Sequence, residues 1–166
     1  MYVDTMEETL EEILENEVMG SFNHGYIQLR LGGLLDRLGL FTPVGELSLD
    51  VSGIDLSQFD LRSKTELIPD IALYPKRTLS RPTDIQRMTE MPLIAIEILS
   101  PRQGFDEILE KFKAYFALGI SSCWLVAPAI NTISVYRSPT DWVTFTQGDL
   151  VDETVGIRLA LTEIFA

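Results

Sequence analysis

The chain has 166 residues, 46% of them hydrophobic, and a net charge of −12. Length and apolar content predict one globular domain with its own core and exclude a disordered or fibrous chain. No apolar run approaches the ~20 residues of a membrane span, and the acidic N-terminus resembles neither a signal nor a transit peptide, so we expect a cytoplasmic protein with no membrane association. The single cysteine, Cys123, lies in an apolar run and is expected to be a buried structural thiol.

The first twenty residues are the most acidic part of the chain, with seven acids and no base. Thr5 and Glu8 have the spacing of a capping box, and apolar residues follow at helical intervals: Met6, Leu10, Ile13 and Leu14. We expect residues 1–20 to form a helical extension that packs on the domain or on a second chain. The segment 62–113 holds nine of the thirteen basic residues, which permits a polyanionic partner there although the net charge counts against one.

The next elements are predicted from periodicity and chain breakers. A helix is expected over residues 23–38, with Ser21 or Asn23 as its cap and Gly39 at its end. Expected strands follow at residues 41–44, 46–51, 68–74 and 93–99, with an exposed basic connection over residues 75–90. A helix over 105–118 and a strand over 122–127 complete a parallel crossover unit, and the tail predicts a closing hairpin over residues 132–137 and 142–146.

Two acids stand alone in these apolar strands. Glu97 interrupts the run from Leu93 to Leu99, and Asp70 lies in the run from Leu67 to Leu73. An ionised carboxylate buried in a strand costs several kcal/mol unless it is paired. If the strands are neighbours, both acids can meet near a strand end and bind a divalent cation. The alternative, that each acid caps a turn or pairs with an arginine, has equal weight on these grounds.

Two further polar residues have ordinary explanations. Lys111 lies on the helix after the central strand, where it could reach a scissile phosphate, but Glu107 four residues earlier favours a surface ion pair. His24 is the single histidine, and its place near a helix start favours a capping or surface role. Without a second histidine or a reactive cysteine, a zinc site and Cys/His nucleophilic catalysis lack support.

An ordered set of short motifs resembles a known family. The set comprises Pro69-Asp70, Glu97-Ile98-Leu99-Ser100-Pro101, Glu110-Lys111 with Tyr115 and Gly119, and Cys123-Trp124-Leu125-Val126 with Pro128. It is similar to the restriction endonuclease-like family common in cyanobacteria, which belongs to the PD-(D/E)XK nuclease superfamily. The resemblance implies a mixed α/β domain whose core is a four-stranded mixed sheet flanked by helices, here with an extra N-terminal helix and a C-terminal β-hairpin.

The resemblance also implies an activity and a site. The activity is phosphodiester hydrolysis by an endonuclease that uses Mg²⁺ or Mn²⁺ on nucleic acid, expected to be DNA, and that acts as a homodimer. Asp70 and Glu97 would be metal ligands together with the Ile98 carbonyl, and Lys111 would replace the superfamily lysine, because position 99 is Leu. His24 or Glu46 could supply a ligand in place of the acid that some relatives carry on the first helix. The alternative is a catalytically silent binding or assembly module of the same fold.

Overall fold

A computed structural model describes residues 20–63, 65–101 and 103–166. The predicted helical extension over residues 1–20 therefore lies, except for Gly20, outside the described residues. The helices are α1 (Phe22–Arg37), α2 (Phe105–Ala117) and α3 (Leu161–Phe165). The strands are β1 (Phe41–Gly45), β2 (Leu49–Asp50), β3 (Glu66–Leu67), β4 (Ile71–Pro75), β5 (Ile94–Ile98), β6 (Ser122–Ala127), β7 (Thr132–Ser138), β8 (Asp141–Phe145), β9 (Asp149–Asp152) and β10 (Ile157–Ala160).

The main sheet is mixed and has six strands in the order β1-β4-β5-β6-β7-β8. Strands β5 and β6 are parallel and are joined through α2, which confirms the predicted crossover unit, while the other neighbours are antiparallel. The first four strands form the expected mixed core, and the predicted C-terminal hairpin, β7 and β8, extends the same sheet. Strands β9 and β10 form a separate hairpin that leads into α3.

Helix α1 covers one face of the sheet. The side chain of Ser21 accepts a hydrogen bond from the backbone N–H of His24, and Gly39 follows the helix with a φ of 76°, a conformation that glycine adopts without strain. The predicted cap and terminator are thus confirmed. Its inward stripe packs with the alternate β5 side chains in one core, which includes Ile27, Leu31, Leu34, Leu35, Ile94, Ile96 and Ile98.

Helix α2 covers the opposite face. Phe112 and Tyr115 are buried with Ala95 of β5 and Cys123 of β6, so the cysteine is the buried thiol that was expected. Burial of Glu97, which is 1% exposed, follows from its position on this same face between β5 and α2.

Three strands are shorter than predicted, and β5 lacks only one residue at each end. Strand β4 begins at Ile71, so Asp70 lies immediately before it, and only Leu49 and Asp50 are extended in the predicted strand over residues 46–51. Glu46 has a positive φ of 52° and ends the pairing of β1, since a left-handed residue cannot continue a strand. Its backbone N–H instead donates to the Asp70 carbonyl oxygen at 3.2 Å.

Candidate active site

Asp70 is held beside the centre of the sheet by its backbone and by its side chain. Its carbonyl oxygen accepts a hydrogen bond from Gln28 Nε2 of α1 at 2.9 Å, and its Oδ2 accepts one from the backbone N–H of Ile98 at 2.7 Å. The carboxylate is 3% exposed. Because Ile98 follows Glu97 directly, these contacts place the two predicted acids next to one another at the start of β4 and the end of β5.

Glu97 is the second acid of the pair. Its Oε1 accepts a hydrogen bond from the hydroxyl of Tyr115 at 2.6 Å, and Lys111 Nζ lies 3.9 Å from the same oxygen. The pKa of Glu97 is raised to about 8, mainly by burial; the Lys111 ammonium opposes this rise, and the neighbouring Asp70 carboxylate contributes to it. Two close carboxylates with few donors favour a proton or a metal ion between them.

Lys111 does not form the surface ion pair with Glu107 that the sequence spacing favoured. Its side chain is 17% exposed and forms its ion pair with Glu97, and among the described residues no ion pair joins it to Glu107. Helix α2 therefore directs the lysine over the end of β5. The structure brings the three predicted catalytic side chains, Asp70, Glu97 and Lys111, into one cluster around a single strand end.

His24 lies in the same cluster and not at the surface. It is 4% exposed, and its Nε2 lies 3.1 Å from Asp70 Oδ2. The adjacent Asp70 carboxylate raises the pKa of His24 while burial opposes this shift. At this distance the two groups form an ion pair when the imidazole is protonated, although the geometry of the contact is not that of a regular hydrogen bond. The predicted surface role of this side chain is therefore wrong, because position 24 shares the buried stripe of α1.

Glu46, the other candidate ligand, has an exposed side chain and contacts Asp70 through its backbone N–H.

The sequence did not predict two residues that position the acids. Tyr115 belongs to the family motif but was given no contact with Glu97, although it follows Lys111 at i+4, and Gln28 was given no role, although it follows His24 by the same interval. In both cases the available signal was a polar side chain one helical turn after a residue of the site, which places the two side chains on the same face of the helix.

A divalent cation fits this chemistry. Mg²⁺ in proteins is held by one or two carboxylates and keeps most of its waters, so Asp70 and Glu97 with a backbone carbonyl such as that of Ile98 are an adequate ligand set. Among the described residues no three His, Cys, Asp or Glu side chains are already gathered in metal-site geometry. His24 Nε2 adds a buried polar atom to the cluster, 3.1 Å from Asp70 Oδ2.

The connection over residues 75–90 contributes less positive charge than its composition indicates. Arg77 pairs with Glu90 at 2.6 Å, Arg87 Nη2 lies 3.7 Å from Glu66, and Lys76 Nζ lies 3.9 Å from Asp36. Three of its basic side chains are therefore matched by acids.

No helix among the described residues is long and apolar enough to cross a membrane.

Comparison with solved structures places this arrangement in a known class. The fold is similar to that of a "putative nuclease belonging to DUF820 from Anabaena variabilis ATCC 29413", with a TM-score of 0.67, 18% sequence identity, and coverage of 88% of this chain and 82% of that chain. The two proteins share a fold, and the mixed sheet flanked by helices that the sequence predicted is confirmed.

A family model identifies the chain more closely. Residues 5–162 match the model of the Uma2 family, described as "Putative restriction endonuclease". The chain belongs to the Uma2 family, and the family resemblance inferred from its motifs is confirmed. A comparison with curated proteins gave no match.

Proposed function

We propose that this protein is a Mg²⁺- or Mn²⁺-dependent endonuclease that hydrolyses phosphodiester bonds in DNA. The observation that supports this best is the cluster of two adjacent buried carboxylates, Asp70 and Glu97, with the ammonium of Lys111 3.9 Å from one of them. Membership of the Uma2 family, described as "Putative restriction endonuclease", supports DNA as the substrate class.

Each residue has a distinct task in this proposal. Asp70, Glu97 and the Ile98 carbonyl would hold the metal ion, and Tyr115 fixes the Glu97 carboxylate by its hydrogen bond. The bound ion would supply Lewis-acid activation of a water molecule and of the scissile phosphate. Gln28 and the N–H of Ile98 keep Asp70 at the strand end, so that the ligand positions are fixed before substrate arrives.

In this proposal Lys111 performs the task of the superfamily lysine, which is absent here because position 99 is Leu. Leu99 packs against the core beneath α2 and offers no charge. Lys111 is partly exposed, so its ammonium can leave Glu97 once a metal ion neutralises that carboxylate and can then stabilise charge on the phosphate. One such centre cuts one strand, and double-strand cleavage by this chain would therefore require a homodimer.

The test combines binding and cleavage. Calorimetric titration with Mn²⁺ should give one weak site in the wild type and none in Asp70→Asn, and nicking of supercoiled plasmid in Mn²⁺ should follow the same pattern. Asp141→Asn, which alters an exposed acid on β8, is the matched control and should leave both results unchanged. Cleavage that persists in Asp70→Asn, or wild-type protein that binds no Mn²⁺, would contradict the proposal.

A second candidate is a catalytically silent module of the nuclease fold. The pairing of Lys76, Arg77 and Arg87 with acids favours it, because these side chains then offer little free charge to a nucleic acid backbone. This candidate predicts that the wild type cleaves neither DNA nor RNA substrates, even where Mn²⁺ binds.

A further inference from the structure

The side of helix α1 that faces away from the sheet is apolar and open to solvent in the described structure. Phe22 is 83% exposed, Leu29 is 82% exposed and Tyr26 is 43% exposed. Gly33 completes the row, because positions 22, 26, 29 and 33 are three or four residues apart and so share one side of a helix. A helix with one buried side normally carries polar residues on the other, so this second apolar row, the outer face of α1, indicates a second covered side.

Shape and charge restrict what can cover the outer face. The rings of Phe22 and Tyr26 are stacked with their centroids 6.0 Å apart, whereas a Cβ at Gly33 would meet no atom within 4 Å. Arg30 and Arg37 are seven residues apart and border the face on one side, and the Arg30 guanidinium lies 4.9 Å from the centroid of the Tyr26 ring. Among the residues that the structure describes, no acid forms an ion pair with either arginine. The covering element should therefore be apolar and should bring negative charge.

The segment directly before α1 has this complementary composition. Residues 1–19 carry seven acids and no base, and their apolar row is formed by Met6, Leu10, Ile13 and Leu14. They join the helix at Gly20, one residue before the Ser21 cap, so a reversal of the chain at this point is enough to bring them alongside it.

We infer that the outer face of α1 is the docking surface for residues 5–18 of the same chain, antiparallel to the helix. In a hairpin that turns at Gly20, residues whose numbers sum to about 40 face one another, so Leu10 meets Leu29. The tether gives the segment a high effective concentration at the face, whereas a second copy of a chain with charge −12 must overcome charge repulsion. The inference does not depend on the proposed function.

Engineered cysteines test this pairing in the full chain, because the native Cys123 is buried and does not compete. Under mild oxidation, Leu10→Cys combined with Leu29→Cys should form a disulfide within one chain, seen as faster migration of the monomer in a non-reducing gel. The matched control is Glu12→Cys combined with Leu29→Cys. Residues two positions apart do not share a side of a helix, so the control disulfide should form at least ~10-fold more slowly.

Urea unfolding gives an independent measure. A leucine that nothing covers can be changed to alanine at little cost, so Leu29→Ala would leave the urea midpoint unchanged on a bare face. We expect Leu29→Ala and Leu10→Ala each to lower the midpoint, and the double variant to lower it by less than the sum of the two shifts, because both changes remove the same contact. Leu79→Ala is the matched control, since this leucine is 76% exposed on the connection over residues 75–90 and should not shift the midpoint.

Equal disulfide rates for the two cysteine pairs, or shifts of the urea midpoint that simply add, overturn the inference. A disulfide-linked dimer formed by Leu10→Cys with Leu29→Cys also overturns it, because the outer face then belongs to a second copy of the chain. If a cysteine variant does not fold, the alanine variants decide alone. These measurements involve neither metal nor nucleic acid, so their failure leaves the proposed function intact.

Discussion

Two acids of this protein are equally buried and have opposite surroundings. Asp152 and Glu97 are each 1% exposed. Asp152 accepts hydrogen bonds from Ser122 Oγ at 2.6 Å, from Trp124 Nε1 at 2.7 Å, and from the backbone and hydroxyl of Thr154. In the part of the chain that the structure describes, Glu97 receives one protein hydrogen bond, from Tyr115, and a lysine at 3.9 Å.

The difference shows that the supply of donors, and not burial, separates a structural acid from a candidate functional one. Four neutral donors spread the charge of Asp152 and tie the end of β9 to β6, so this acid needs no further partner. Glu97 faces a second carboxylate and lacks such a shell. It therefore depends on the Lys111 ammonium or on a proton, as a ligand of the proposed metal centre would before a metal ion binds.

The strongest way to test this comparison is to remove the cation beside Glu97. We expect Lys111→Met to fold and to bind Mn²⁺ but to lose plasmid nicking by ~10²-fold or more, the scale of one electrostatic donor in a transition state. Lys113→Met, two residues further along α2 where the lysine pairs with Glu110, is the control and should nick normally. Equal nicking by both variants would show that Lys111 only balances the charge of Glu97.

The comparison can also be tested by pH. With the pKa of Glu97 raised to about 8 from 4.5, the folded metal-free protein keeps a proton that the unfolded chain has lost. Its free energy of unfolding should therefore fall as the pH rises from about 4.5 to 8, by a few kcal/mol in order of magnitude. Urea unfolding in EDTA at several pH values measures this slope, which Glu97→Gln should largely remove. An unchanged slope in the variant would assign the effect to other groups.

A smaller effect is expected when the donor-rich acid is altered. Asp152→Asn replaces one acceptor oxygen by an amide that faces other donors, and we expect a loss of about 1–3 kcal/mol in the free energy of unfolding. Mn²⁺ binding should not change. Asp149→Asn, at an exposed acid on the same strand that pairs with Arg158, serves as the reference and should cost less than about 0.5 kcal/mol. Loss of metal binding in Asp152→Asn would erase the distinction between the two acids.

The smallest effect is expected from the acidic N-terminal segment, which lies outside the described residues. Deletion of residues 1–18 should lower the stability by about 1 kcal/mol, which is about 2–4 °C in melting temperature for a chain of this size, or should change the oligomeric state. The reason is the apolar stripe formed by Met6, Leu10, Ile13 and Leu14. Metal binding should be unchanged. Thermal unfolding measures the change in stability, and light scattering measures the oligomeric state. A deletion that alters neither property makes the segment a dispensable tail.

The sequence predicted those parts of the fold that local signals encode. Helix α1 and the β5–α2–β6 unit follow from periodicity, and Gly39 and Gly119 end the two helices with φ values of 76° and 91°. The strand over residues 46–51 was predicted too long because the alternation of Leu47, Leu49 and Val51 does not reveal the left-handed backbone of Glu46. Tyr26 of α1 is 43% exposed, which shows that an aromatic ring alone does not mark the buried side of the helix.

The site was predictable only where an anomaly was visible. Asp70 and Glu97 stood out as acids inside apolar runs, and the structure places them together. Asp152 gave no such signal, since it lies among polar residues and its partners Ser122 and Trp124 precede it by 30 and 28 positions. The burial of His24 depends on which side of α1 faces the sheet, and its distance to Asp70 depends on a pairing across the fold that periodicity does not record.

The contacts of Asp70 also determine when the cluster of Asp70 and Glu97 can form during folding. The residue is bonded to Gln28 and to Ile98, which lie 42 and 28 positions away in the chain, and to the turn at Glu46. Contacts that span such loops form only after the loops close, so the two carboxylates meet when α1, β1, β4 and β5 are all assembled. A nascent or partly unfolded chain therefore has the acids but not the cluster, and the proposed metal site exists only once the domain is complete.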